Sequence, residues 1–229
     1  MTRPVLVTRA APGARATAAK LERAGFDAVL APVADIVFED DPPDLAGIAA
    51  LAFTSPNGVR AFARLSERRD PPVFAVGDAT AEAAREAGFA SVRSAQGDGA
   101  DLARLIAKAR PGRVLHVRGR DLAFDLAGAL AEAGIAADET IAYRAEPVDA
   151  LPPGAIEALR SGCDVLIHSR KGAERLLDLA DGDALAPCGF AAISEAAAEP
   201  LRAAGLARII VAARPDEAAL IDALGRLRP

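Results

Sequence analysis

Short, nearly continuous apolar runs recur along the chain and alternate with amphipathic stretches. Such runs are typical of parallel β-strands that are covered on both faces. The intervening stretches have helical spacing, and several of them end on glycine, which is favoured just after a helix. The alternation predicts an α/β fold with helices on both sides of parallel sheets. The predicted strands occupy residues 5–9, 28–33, 50–55, 73–77, 114–119, 165–169, 191–194 and 208–213.

The chain also repeats itself, because three kinds of segment occur twice in the same order. The matched pairs are 5–33 with 114–143, 50–65 with 165–179, and 74–92 with 191–209. Strand, polar turn, helix and next strand fall at the same offsets in each pair. The repeat predicts two similar lobes, each a small doubly wound, flavodoxin-like parallel sheet.

Two segments rich in proline and acidic residues, 34–44 and 141–153, occupy the same place in the two repeats. Their composition is typical of connectors between lobes. If both connectors cross, residues 38–143 form one lobe, and residues 1–37 combine with 144–229 to form the other. We therefore expect two lobes joined by a two-stranded connector, with a cleft between them.

Composition excludes several classes of function. The net charge is −5 and contains no basic block, which argues against a nucleic-acid partner. No run of about 18 uncharged apolar residues exists, so no membrane span is expected. The first residues, MTRPVLVTRA, resemble no signal peptide, and two cysteines are too few for a disulfide framework, so we expect a cytoplasmic protein. No metal-ligand spacing and no phosphate-binding glycine loop is present, which predicts neither a metal nor a nucleotide cofactor.

The sequence FTSPNGV places polar residues where a predicted strand passes into a helix. Ser55 or Asn57 is expected to cap the helix, with Pro56 in its first turn. A helix N-terminus also favours a carboxylate, so Thr54, Ser55 and Asn57 are candidate contacts for an acidic ligand. Ser169 and Lys171 stand at the corresponding turn of the other repeat and are candidates for the same reason, although such cations are often only solvated.

Arginines end the first strand of each repeat. Arg9 follows the run at 5–7, and Arg118-Gly119-Arg120 ends the run at 114–119. A guanidinium pairs with carboxylates in fork geometry, so these positions are candidates for substrate binding, and a salt bridge to a nearby acidic residue is the alternative. His116 and His168 lie inside apolar runs and are expected in the core or along a wall of the cleft.

The residues together resemble the uroporphyrinogen-III synthase family. The resemblance is carried, in order along essentially the whole chain, by FTSPNGV at 53–59, VGDATAEAAREAGF at 76–89, RGR at 118–120, the Tyr143-Arg144 pair, and ISEAAA at 193–198. It implies two α/β lobes, one of them built from both chain ends. It also implies the cyclisation of hydroxymethylbilane, a linear tetrapyrrole with many carboxylates, with inversion of the last ring and loss of water. The implied reaction uses no metal or organic cofactor, and we expect a monomer.

The resemblance also implies roles for particular residues. Thr80 matches a functional threonine of the family, next to Asp78, which we expect as the helix cap. Ser194 lies in the counterpart turn, where Ala196–Ala198 replaces the threonines that many members carry. Tyr143, the chain's only tyrosine, is the candidate for assisting departure of the substrate's hydroxyl, as a hydrogen-bond donor or general acid.

A different class of function stays open at the level of sequence. The same bilobed fold could serve as a non-catalytic binding or sensor module for a small anion or a tetrapyrrole, because one fold hosts many functions. The alanines at 196–198 and the Ser169-Arg170-Lys171 turn favour that alternative. Tyr143 and Thr80 favour the enzyme.

Overall fold

The structure, a computed structural model, describes residues 3–227. The chain divides into two compact units. The terminal unit combines the residues up to Asp35 with those from Glu146 onward, and the central unit is Ile36–Ala145. The expected lobes differ from these units by two residues at each boundary.

Every strand run predicted from the sequence overlaps a strand. The described strands are β1 (Val5–Val7), β2 (Ala28–Leu30), β3 (Ala34–Phe38), β4 (Ala50–Phe53), β5 (Val73–Ala75), β6 (Val92–Ser94), β7 (Val114–Gly119), β8 (Ala137–Pro147), β9 (Asp164–Ile167), β10 (Gly189–Ala192) and β11 (Ile209–Val211). The described helices are α1 (Gly13–Arg23), α2 (Pro56–Leu65), α3 (Asp78–Glu86), α4 (Gly99–Ala109), α5 (Leu126–Glu132), α6 (Pro153–Ser161), α7 (Arg170–Leu179), α8 (Gly182–Leu185), α9 (Glu195–Ala203) and α10 (Glu217–Gly225).

The terminal unit contains a five-stranded sheet in the order β11-β10-β9-β1-β2. All of its pairings are parallel. Counted outward from β1 and β2, the order is that of a flavodoxin-like doubly wound sheet, with the strand order reversing between β1 and β9. The predicted α/β class and parallel sheet are confirmed for this unit.

The central unit contains a six-stranded sheet in the order β3-β8-β7-β4-β5-β6. The pairings β4–β5, β4–β7, β5–β6 and β7–β8 are parallel. This unit has the same doubly wound order with a permuted chain start, and its order reverses between β7 and β4. The two predicted connectors contribute β3 and the end of β8, which lie side by side, with the Glu39 N–H donating to the Ala142 carbonyl at 3.0 Å.

Each sheet buries both faces, which explains its nearly continuous apolar strands. In β4, Leu51 and Phe53 pack with α2 and α3, whereas Ala50 and Ala52 pack with α4 and α5. In the terminal unit, Leu6 packs with α6, α7 and α9 on one face, and the residues on either side of it pack with α1 and α10 on the other. The alternation follows from the two-residue period of a strand.

Local signals at the helix ends are largely confirmed. Ser55 caps α2, and Pro56 is its first residue, as the sequence predicts. Gly25 and Gly88 follow α1 and α3 with φ of +81° and +95°, a conformation that glycine adopts without a Cβ clash. The expectation that Asp78 caps α3 is wrong: Gly77 holds the extended cap position, and Asp78 lies in the first turn. Within residues 3–227, no helix combines the length and apolarity needed to cross a bilayer.

Candidate active site

A pocket of about 210 Å³ opens in the central unit at the carboxyl ends of β4 and β7. This is the point where the strand order of the sheet reverses, and doubly wound sheets bind ligands there. The lining residues are Thr54, Val76, Gly99, His116, Arg118, Gly119, Asp121, Leu122, Ala123, Phe124 and Tyr143.

The β4–α2 turn forms one wall of this pocket. The Ser55 hydroxyl accepts a hydrogen bond from the Asn57 backbone N–H at 3.1 Å, which starts the helix. Gly58 lets the helix approach β7, because a Cβ there would come within 2.7 Å of the Val117 carbonyl oxygen. The turn therefore places Thr54 beside the end of β7.

Tyr143 lies on β8 opposite Gly119 of β7, at an irregularity in the strand register. A Cβ added at Gly119 would lie 2.8 Å from the Tyr143 ring and 3.1 Å from its hydroxyl oxygen. Burial raises the pKa of Tyr143, a hydrogen bond with Ser55 acts in the opposite direction, and the charge of Asp121 raises it further. The net shift is upward, so the phenol keeps its proton at neutral pH.

The buried side chain of His116 contacts Thr54 in the pocket wall and Glu139 on β8. His116 lies opposite Glu139 in the β7–β8 register. Its Nδ1 is 3.1 Å from the Glu139 carboxylate, and its Nε2 is 3.2 Å from the Thr54 hydroxyl. Burial lowers the pKa of His116 against the influence of Glu139. The imidazole is therefore neutral at pH 7.

Two arginines follow His116 with different surroundings. The Arg118 guanidinium lines the pocket, but one Nη donates to the Gly119 and Arg120 carbonyls and the other to Glu139 at 3.1 Å. Arg120 is more exposed and pairs with Glu39 at 3.2 Å. The salt bridges that the sequence analysis gave as the alternative are thus present at both positions.

Four candidates of the central unit lie outside the pocket lining, namely Ser55, Asn57, Thr80 and Arg120. The Asn57 side chain accepts a hydrogen bond from Arg60 at 3.2 Å. Thr80 is buried in the first turn of α3, with 3% of its surface exposed. The structure thus brings together Thr54, Arg118, Gly119 and Tyr143 in one pocket, and it places Asn57 and Thr80 at neighbouring helix starts of the same unit.

In the terminal unit, Arg9 belongs to a compact ionic cluster. Its guanidinium is 3.0 Å from a carboxylate oxygen of Glu217, and the Thr17 hydroxyl donates to the other oxygen. His168 lies 3.5 Å from Glu217, and neither of its ring nitrogens has hydrogen-bond geometry with a described partner. Burial works to raise the pKa of Glu217, but its contacts with His168, Thr17 and Arg9 lower it to about 2.

The remaining terminal-unit candidates stand at helix starts. Ser169 caps α7, accepting from the Gly172 N–H at 3.0 Å, and Ser194 caps α9, accepting from the Ala197 N–H at 3.3 Å. Lys171 lies in the first turn of α7. Both serines follow the carboxyl ends of parallel strands, which is the edge of the sheet that the sequence analysis selected.

The described residues gather no set of three or more His, Cys, Asp or Glu side chains suited to a metal ion. The model of the family described as uroporphyrinogen-III synthase HemD matches residues 15–222. The chain belongs to this family. The family is one of enzymes of tetrapyrrole and heme biosynthesis.

Solved structures of synthases of this name resemble the chain over nearly its whole length. The uroporphyrinogen-III synthetase of Helicobacter pylori is 19% identical, with coverage of 99% of this chain and 100% of that one and a TM-score of 0.70. A mutant uroporphyrinogen-III synthase of the extremely thermophilic bacterium Thermus thermophilus is 22% identical, with 98% of each chain covered and a TM-score of 0.49. The Helicobacter likeness confirms the fold. No curated protein sequence matches the chain.

In this HemD-family chain, His116 is buried in the wall of the pocket, within the range of places expected from the sequence. Its hydrogen-bond partners and the particular acidic partners of the arginines were not predicted, although His116 lies two residues before Arg118 and so shares its face of β7. Glu139 becomes its partner only through the β7–β8 register. The alternation of His116 and Arg118 is the one signal that could have joined them to the site.

Proposed function

We propose that the chain is a lyase that cyclises hydroxymethylbilane to uroporphyrinogen III, with inversion of the last pyrrole ring and loss of one water. The observation that carries the proposal is the pocket at the strand-order reversal of the central unit. It holds the Tyr143 hydroxyl beside Ser55 and Gly119. The family match over residues 15–222 supports the same reaction.

In the proposed reaction, Tyr143 donates a hydrogen bond to the departing hydroxyl of the substrate. The C–O bond breaks with its electron pair on oxygen, and the electron-rich pyrrole stabilises the carbon left behind. A C–C bond then forms from this carbon to the α-carbon of the last ring that already carries the preceding bridge. The bond between that α-carbon and the bridge carbon breaks, and the bridge carbon bonds to the free α-carbon of the same ring, which inverts the ring. The proton that this free α-carbon loses balances the one taken up by the leaving hydroxide, so that one water departs. Because the pyrrole already activates the leaving group, a phenol with a raised pKa is a sufficient donor.

The larger task is to hold a flexible chain so that the correct ring carbon is attacked, which is a matter of orientation. Capped helix N-termini at Ser55, Ser169 and Ser194 support binding of substrate carboxylates, since the dipole and N–H groups there favour anions. Arg9 would bind a carboxylate only by exchanging Glu217 for it. The proposed substrate contacts are Arg9, Thr54, Ser55, Asn57, Thr80, Arg118, Gly119, Arg120, Ser169, Lys171 and Ser194.

Isomer analysis tests the proposal. Purified protein is added to freshly generated hydroxymethylbilane, the products are oxidised, and the type I and type III uroporphyrins are separated by chromatography. Protein-dependent type III product is the expected result. If a folded sample gives only the spontaneous type I isomer, the synthase proposal is wrong, and titration of the same sample with a tetrapyrrole then tests the non-catalytic binding module.

We also propose that the protein works as a cytoplasmic monomer. Support for a reducing compartment comes from the cysteine content, since two cysteines are too few for a disulfide framework. Sedimentation of the purified protein over a range of concentrations tests the monomer.

A further inference from the structure

The partners of the His116 side chain determine which atom donates in each of its two hydrogen bonds. Arg118 donates to the Glu139 carboxylate at 3.1 Å, and the facing ring nitrogen of His116 is Nδ1. An ionised carboxylate only accepts hydrogen bonds, so Nδ1 carries the ring proton. In the neutral imidazole the other nitrogen, Nε2, is then an acceptor, and the partner 3.2 Å away must donate to it.

That partner is the Thr54 hydroxyl, which has one proton to give. With the proton directed at His116, the oxygen presents only lone pairs to the pocket that Thr54 lines. An oxygen in this state repels a substrate carboxylate and attracts an N–H donor. Nearby, the Ser55 hydroxyl caps the helix by accepting from the Asn57 backbone N–H.

We infer that His116 is a positioning residue that holds Thr54 as a hydrogen-bond acceptor for a pyrrole N–H of the bound tetrapyrrole. This inference rests on the proposed function, since it names the part of the substrate that meets this wall. The surroundings fit a pyrrole: Val76, Leu122 and Phe124 offer apolar surface for its ring face, and Asp121 is a second acceptor in the same pocket. Thr54 and Asp121 thus provide acceptors for a pyrrole N–H in a pocket that the Arg118 guanidinium also lines.

The tautomer of His116 is the first test, and it does not depend on catalysis. The chain has two histidines, so a sample labelled with ¹⁵N-histidine gives two sets of ring signals, and the variant His116→Phe assigns them. Long-range ¹H–¹⁵N spectra at neutral pH are expected to show the proton of His116 on Nδ1. A proton on Nε2 would overturn the inference, because Thr54 would then accept from the ring and donate to the pocket.

Kinetics tests the second step with a cycle of variants. His116→Phe is expected to lower kcat/KM for type III product by roughly fivefold to tenfold, the effect of one hydrogen bond. The same change should have almost no effect in Thr54→Val, which has no hydroxyl to orient. In the matched control Thr54→Ser, which keeps the hydroxyl, it should again cost roughly fivefold to tenfold. An equal loss in all three backgrounds would show that His116 does not act through Thr54.

The outcomes separate this inference from the proposed function. A wild-type chain that forms no type III product refutes the function and the pyrrole ligand together. Type III product with an Nε2–H tautomer refutes only the role of His116. If His116→Phe does not fold, the variant His168→Phe assigns the two sets of ring signals instead, and the tautomer measurement on the wild-type chain still decides the direction of the hydrogen bond.

Discussion

The Cα of Gly119 faces the ring of Tyr143 so closely that no side chain fits between them. A Cβ at this position would lie 2.8 Å from Cζ of Tyr143 and 3.1 Å from its hydroxyl oxygen. The two residues pair across β7 and β8 where the strand register is irregular. Glycine at position 119 is therefore needed for the tyrosine to lie where it does.

Gly119→Ala is expected to displace the Tyr143 ring and to lower kcat, by as much as about 100-fold for a displacement near 1 Å. Overpacking should also lower the free energy of unfolding by about 1–3 kcal/mol. Steady-state kinetics and denaturant unfolding measure the two effects. Gly154→Ala is the control, since a Cβ on Gly154 meets nothing within 4 Å, and it should leave kcat unchanged. Wild-type kcat in Gly119→Ala would contradict a positioning role for this glycine.

Tyr143→Phe keeps the ring that packs against Gly119 and removes only the hydroxyl. We expect kcat to fall roughly tenfold, the contribution of one hydrogen bond, with little change in the free energy of unfolding. Single-turnover formation of type III product separates this step from product release. The raised pKa of Tyr143 predicts that wild-type activity persists to a higher pH than an ordinary tyrosine would allow. An unchanged kcat would remove Tyr143 from the mechanism.

The cap at Ser55 could be predicted from the sequence because capping is local. The capping serine, Pro56 and the Asn57 N–H that donates to the serine hydroxyl lie within three residues. The parallel sheets could be predicted because the central strands are apolar on both faces, and the combination of both chain ends in one unit was inferred from the two connectors. Asp78 was misassigned because an acidic residue stabilises a helix either at the cap or in the first turn. In the structure, Gly77 has the extended backbone of the cap, and Asp78 lies in the first turn.

The ionic partners of the site could not be read from the sequence. Glu217 reaches Arg9 over a separation of 208 residues, and Glu139 reaches His116 over 23. Both contacts are set by sheet register and helix placement, which single-sequence periodicity does not specify. The chain carries 32 acidic residues, so an arginine at a strand end has too many potential partners for composition to select one.

The reactivity of the Cys163 and Cys188 thiols is a measure of how readily the terminal unit opens. Both are buried, with 0% and 1% of their surface exposed. A thiol reagent should therefore modify neither cysteine in the native protein and both after unfolding, and the modification rate should follow opening of the structure. In the variant Cys188→Ala, one thiol should become reactive on unfolding instead of two. Rapid modification under native conditions would contradict stable burial of this region.

Glu217 makes the terminal unit sensitive to acid. Its pKa of about 2 in the folded chain lies below the ordinary value of 4.5, so the unfolded chain binds its proton more readily. The carboxylate therefore stabilises the fold fully above about pH 4.5, and this stabilisation is lost as the pH falls toward 2. The size of the shift corresponds to a contribution on the order of 3 kcal/mol.

Glu217→Gln is accordingly expected to lower the free energy of unfolding at pH 7 by up to about 3 kcal/mol and to flatten its decline in acid. Urea unfolding at a series of pH values between 7 and 3 measures both effects. Glu199→Gln is the matched control: Glu199 also pairs with an arginine, Arg170 at 2.8 Å, but more than half of each side chain is exposed. Exposed pairs contribute at most about 1 kcal/mol, so the control should follow the wild-type pH curve. Parallel curves for Glu217→Gln and the wild type would show that the contacts of Glu217 with His168, Thr17 and Arg9 do not hold the carboxylate in its charged form.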